Sequence, residues 1–159
     1  MPPEPMASWF MSESDDHILV ARRWFLVAHR DILSAHACLD APVPIPETAA
    51  YHRQQAVEKL TKGLLVLGRA AFRKTHDLEA LRDLAVLHFP DLHGTNDRLV
   101  PLTDWGHVFR YPDLGEEPVP TPQDLRAVLI DIQQFAVTAA GLAETASVPR
   151  EPGIKNDRP

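Results

Sequence analysis

Fifteen prolines in 159 residues constrain this chain more than any other feature, because most of them cluster at residues 2–5, 42–46, 112–122 and 149–159. Proline has no backbone N–H and holds the preceding residue extended, so each cluster ends regular structure and divides the chain into segments. Within the segments, apolar residues recur every three or four positions. In the first they are Ala21, Trp24, Phe25, Ala28, Ile32, Ala35 and Leu39, the spacing of one helical face. Ser14 or Asp15 is expected to cap its start.

The APVPIP stretch ends this helix. Pro46 then suits the first position of a second, with Glu47 near the positive end of its dipole and Gly68 as its stop. The second stripe is Ala49, Ala56, Leu60, Gly63 and Leu67, and a third carries Leu78, Leu81, Leu84 and Ala85. A fourth helix is expected to contain Pro101 near its start. TPQD opens the last one, with Thr121 as cap, Pro122 at the first position and Asp124 reaching back. Leu125, Val128, Leu129, Ile132, Phe135, Ala136, Ala139 and Leu142 give it a broad apolar face.

The spacing therefore predicts helices near 16–39, 47–67, 77–88, 96–107 and 122–143. No β-branched alternation competes, so the fold class is all-α: a four- to five-helix up-and-down antiparallel bundle. One domain is expected over residues 15–144, between an N-terminal extension (1–14) and a C-terminal tail (145–159).

Composition narrows the function. A formal net charge of -6 argues against a general nucleic-acid coat, which needs many phosphate-facing Lys and Arg, so any anion site is local. With a single cysteine, Cys38, neither an intramolecular disulfide nor a cysteine zinc cluster can form, and a reducing cytoplasm fits best. The opening residues lack the pattern of a signal peptide. The apolar runs GLLVLG and WFLVA are too short for a bilayer, so no membrane role is expected.

The second helix carries the local charge. At about 100° per residue, His52, Gln55, Lys59 and Lys62 fall within roughly 80° of one another beside the core stripe. Residues 53–74 hold six basic side chains, Arg53, Lys59, Lys62, Arg69, Arg73 and Lys74, against one acid, Glu58. Such asymmetry favours a phosphate-bearing partner. A solvated basic face, with Glu58 supporting Lys62 one turn on, is the alternative. Thr75-His76-Asp77-Leu78 adds a helix start that could hold an anion, or simply a cap provided by Thr75 or Asp77. Arg110 and Tyr111 could clamp a phosphate or base, or pack a turn.

YHRQQAVEKLTKGLLV, then KTHDLEAL, then LTDW and RYPD, in this order and spacing, resemble the HEPN domain over about residues 16–142. The resemblance implies a four- or five-helix bundle, usually dimeric. It also implies nucleotide binding, with the nucleotide as ligand and no cofactor, and an accessory role beside a small nucleotidyltransferase of the kind that includes antibiotic-modifying enzymes. Carried over residue by residue, it singles out His52, Gln54, Gln55, Glu58, Lys59, Lys62, Thr75, His76, Asp77, Arg110 and Tyr111. In that reading Lys59, Lys62 and Arg110 hold phosphate, Gln55 and His52 orient it or the base, and Tyr111 stacks.

Other branches of the family are ribonucleases, toxins among them, that use an Arg and a His separated by four to six residues. An imidazole to move the 2′-hydroxyl proton and a guanidinium to hold the phosphate suit RNA cleavage. Several pairs here have that spacing, and Arg30 with His36 matches best, although it sits in the first helix. The nuclease site is read as absent, and a ribonuclease of toxin–antitoxin or defence type is kept as an alternative. A non-catalytic dimerisation module is a third reading. His29 and His36 lie about 10 Å apart along a helix, too far to share an ion, and no metal site is expected. Helices one, two and five carry more apolar face than a small core uses, so a homodimer is expected.

Overall fold

The computed structural model describes residues 13–99 and 120–148. Its elements are α1 (Glu13–Asp40), α2 (Pro46–Leu67), α3 (Leu78–His88), a 3₁₀ turn (Pro90–Leu92), α4 (His93–Leu99) and α5 (Pro122–Ser147). The class is all-α, with no strand among the described residues. The expected first ten residues, most of the tail, and the fourth helix beyond Leu99 lie outside them.

α1 begins at Glu13, so Ser14 and Asp15 lie inside its first turn instead of capping it. α2 starts on Pro46 with Glu47 in its first turn, as the charge and proline pattern predicts. Its end differs in detail from the expectation. Gly68 keeps φ at −77° and it is Arg69 that turns left-handed, at φ 55°. The Arg69 N–H bonds the Val66 carbonyl and the Ala70 N–H bonds that of Leu65, which closes the helix in a Schellman motif with arginine where glycine is favoured. Gly68 is small for another reason: a Cβ there would lie 3.2 Å from His88 and Phe89 at the end of α3. Arg69→Gly is accordingly expected to raise stability by about 1 kcal/mol, measured as an increased urea midpoint.

Asp77 caps α3, accepting from the N–H groups of Glu79 and Ala80. Thr121 and Asp124 form the capping box of α5.

α2 is the central element, packed against α1, α3 and α5. Asp31 faces Lys59 while His17 faces Arg69, so α1 and α2 run antiparallel. Bonds from Arg126 to Asp40 and from Arg22 to Ser147 show that α1 and α5 do too. The core collects Ala21, Ala28, Ile32, Ala35 and Leu39 of α1, Ala49, Ala56, Leu60 and Leu64 of α2, Leu78 and Leu81 of α3, and Leu125, Leu129, Ile132 and Phe135 of α5. The predicted stripes are thus largely the buried ones, with Trp24, Phe25, Leu84, Val128, Ala136 and Leu142 half-buried at the edge.

α5 adds one fact to the reading of the apolar runs. By length and composition it could cross a membrane, its most apolar 18-residue window having a mean hydropathy of 1.3. The sequence reading looked for unbroken apolar runs, and here alanines and isolated polar residues interrupt them. The stripe from Leu125 to Ala143 packs in the core, yet only 28% of that window is buried.

Candidate functional site

The stripe predicted on α2 turns toward α1, where two buried carboxylates organise it. The first is Asp31 of α1. One of its oxygens lies 2.9 Å from His52 Nδ1, and the other accepts from the Lys59 ammonium. The second is Glu58 of α2, only 3% exposed. It accepts from Lys62 Nζ at 2.8 Å, from Gln54 Nε2 at 3.0 Å and from His76 Nδ1 at 3.0 Å. Gln55 extends this set by donating to Gln54 Oε1 at 2.7 Å.

Both nodes share one chemistry. A carboxylate can only accept, so the proton of each imidazole sits on Nδ1 and Nε2 is the ring nitrogen not used in that bond. Lys59 and Lys62, one turn apart on α2, bring an ammonium to each node, and the Lys62 ammonium also lies 5.9 Å from the centre of the Trp24 ring. Tyr51 meets the His52 ring edge-on, at 5.5 Å between centroids.

Burial opposes the charge on Glu58. Hydrogen bonds from Lys62, Gln54 and His76, with the field of Lys62, outweigh it and hold the carboxyl below its usual range. Arg53, fully buried on the same helix, shows the opposite balance: desolvation draws its guanidinium down to about 10 against the field of Asp124.

The geometry therefore gathers His52, Gln55, Lys59, Lys62 and His76 on one side of the bundle. Thr75 and Asp77 serve the helix start beside it: the Asp77 N–H bonds Thr75 Oγ1 at 3.1 Å and the Asp77 carboxylate caps α3. Arg110 and Tyr111 lie outside the described residues. The basic excess read from residues 53–74 is disposed differently from a basic surface. Arg69, Arg73 and Lys74 are exposed, while Arg53 and Lys62 are buried and Lys59 is half-buried. The reason is that α2 occupies the centre of the bundle, so its cations need partners.

Asp31 is the member that sequence reading left out of the site. Its signal was present: the residue falls three after Ala28 and four before Ala35, on the core stripe itself, where a charge requires a partner.

Arg30 and His36 are not brought together. Six residues turn them about 120° apart around α1, Arg30 is exposed, and His36 Nε2 lies 3.1 Å from Gln133 Nε2. Among the described residues no group of three or more His, Cys, Asp and Glu is placed to hold a metal ion. A groove of about 420 Å³ lies away from the two nodes, between α1 and α5, and its lining is mainly apolar.

Comparison with known families matches the HEPN domain over residues 21–139, from within α1 to within α5. No curated protein and no solved structure matches.

Proposed function

The chain belongs to the HEPN domain family, which carries nucleotide-related and ribonuclease-type roles, and on that premise we propose that it binds a nucleotide through its phosphates. The site is the face of α2 completed by His76, and the protein acts as the accessory, substrate-binding subunit of a small nucleotidyltransferase. One observation carries this reading: two imidazoles, each held through Nδ1 by a buried carboxylate that also holds a lysine. This arrangement presents two Nε2 atoms beside the half-buried Lys59 ammonium, with Lys62 buried against Glu58.

The charges of the site are balanced in pairs. With neutral imidazoles, Lys59 and Lys62 are balanced by Asp31 and Glu58. His52 faces Asp31 of α1 and Lys59 of its own helix, and His76 faces Glu58 and Lys62 of α2. Exposed Arg69, Arg73 and Lys74, on the connection after α2, add a diffuse attraction that salt screens.

The test is titration calorimetry with ATP at two salt concentrations. The His76 side chain is 59% exposed, so His76→Asn is expected to leave the fold intact and weaken binding about tenfold, or ~1.4 kcal/mol. Lys59→Ala is expected to weaken it comparably, while Lys62→Ala confounds binding with stability because it strips a partner from buried Glu58. A wild type that binds no ATP but cleaves RNA, with the cleavage lost in Arg30→Ala or His36→Ala, would make the protein a ribonuclease instead.

A further inference from the structure

Imidazoles and ammonium groups suit the phosphates of a nucleotide, but its flat base needs an apolar surface beside them. α1 supplies one. Val20, Trp24, Val27 and Asp31 stand three or four residues apart, so they form one edge of the helix, and the last of them is the carboxylate that holds His52 and Lys59. Because α1 and α2 run antiparallel, this edge follows the α2 stripe in reverse. Asp31 lies at the Lys59 node and Trp24 at the Lys62 node, where the ammonium is 5.9 Å from the ring centre. Gly63 permits the approach: a Cβ there would lie 3.0 Å from Trp24 Cβ, so a bare position 63 lets α1 bring its indole up to the Glu58–Lys62 pair.

The edge is only partly covered. Trp24 is half-buried, while Val20 and Val27, one turn to either side, are exposed by 40% and 39%. The core is built from the neighbouring stripe of Ala21, Ala28, Ile32 and Ala35, so packing of the bundle leaves part of this surface in water, where it gains nothing from burial. An exposed apolar side chain is ordinary when it stands alone. Here three are contiguous and border the stripe of cations.

We propose that Trp24 seats the base: the ring of a nucleotide stacks on the indole, flanked by Val20 and Val27, while its phosphates meet Lys59, His52 and His76. The inference rests on the phosphate reading of the same site and narrows the ligand from any phosphate to one that carries an aromatic base. Seven residues of helix, about 10 Å, separate Trp24 from Asp31, a length that a ribose with its phosphates spans. The Lys62 ammonium, itself held by Glu58, fixes the indole against α2 through a cation–π contact. The platform is therefore formed before the ligand arrives, and little side-chain freedom is lost on stacking. Every base has a π face, so this seat discriminates base from no base and tolerates different bases.

The measurement is titration calorimetry with ATP and with inorganic tripolyphosphate, which has the phosphates and no base, on the wild type, Trp24→Leu and Trp24→Phe. Trp24→Leu is expected to weaken ATP about tenfold and to leave tripolyphosphate unchanged, and Trp24→Phe to weaken ATP less. Indole fluorescence gives a second readout. ATP is expected to quench the emission of the wild type, and the quenching is expected to vanish in Trp24→Leu although Trp9 and Trp105 remain. A Trp24→Leu protein in which both ligands weaken equally, or neither does, overturns the base seat, as does quenching that persists. A wild type that binds tripolyphosphate but not ATP overturns it too, and leaves the phosphate reading standing. A wild type that binds neither overturns both. Circular dichroism checks helicity; should Trp24→Leu lose it, Trp24→Phe decides, with selective weakening of ATP upholding the seat and equal affinities to the wild type for both ligands overturning it.

Discussion

Glu58→Ala is expected to remove about 3–5 kcal/mol of folding stability, because it leaves the Lys62 ammonium buried without the carboxylate that neutralises it. The Lys62 side chain is 7% exposed, so water cannot readily replace the lost partner. His76 and Gln54 lose their acceptor in the same step. The cost belongs to breaking the pair and not to the absence of charge, which separates this account from a generic cavity effect. Replacing both residues, as Glu58→Met with Lys62→Met, is therefore expected to recover most of the stability in urea denaturation.

The pH dependence follows with a definite sign. The folded-state pKa of Glu58 lies below its unfolded value, so its contribution is fully present above the ordinary carboxyl range and is lost as pH falls through the lowered folded-state value. The gap between wild type and Glu58→Gln should accordingly narrow on acidification. A gap that stays constant would show that the carboxylate charge contributes nothing.

Gly63→Val is expected to cost on the order of 3 kcal/mol, the upper part of the range for overpacking. A Cβ at Gly63 would lie 2.4 Å from Phe25 Cε1 and 3.0 Å from Trp24 Cβ. The ring can swing, but the Trp24 Cβ moves only with the backbone of α1. Any side chain therefore pushes α1 off α2, and the gain in helix propensity over glycine, ~1 kcal/mol at most, does not offset that. The same displacement draws Asp31 away from His52 and Lys59, so ATP binding should weaken together with stability. Adding Phe25→Ala gives the cycle its check: the double variant should be more stable than the sum of the two single losses. Strict additivity would mean that Gly63 is small for some reason other than the approach of Phe25.

The candidate site was half legible. Its α2 members could be read because positions 52, 55, 59 and 62 share a face by helix periodicity alone. The i,i+4 pair of Glu58 with Lys62, and the capping role of Asp77, were open alternatives for the same reason. What the spacing could not supply was the identity of the partners across the bundle. Lys59 meets a residue 28 positions away and His76 meets one 18 away, and no local rule links such pairs. The left-handed Arg69 was hidden for a related reason, since glycine at 68 marks the approach of α3 and not the turn.

Sequence by itself determined the helices, because their stripes, proline boundaries and the TPQD box act through neighbours within about one turn, where covalent connectivity sets the distance. It also determined the family, since the ordered motifs from His52 to Asp77 survive as linear text. Tertiary structure decided which cations are exposed, which carboxylates orient the imidazoles, and which apolar rows are left outside the core. Those outcomes depend on how closely α1 approaches α2 and on which side α5 packs, and these are set by burial summed over whole faces. A lysine beside the core stripe reads the same in the sequence whether an aspartate or water waits opposite, and only the packing of α1 places Asp31 there.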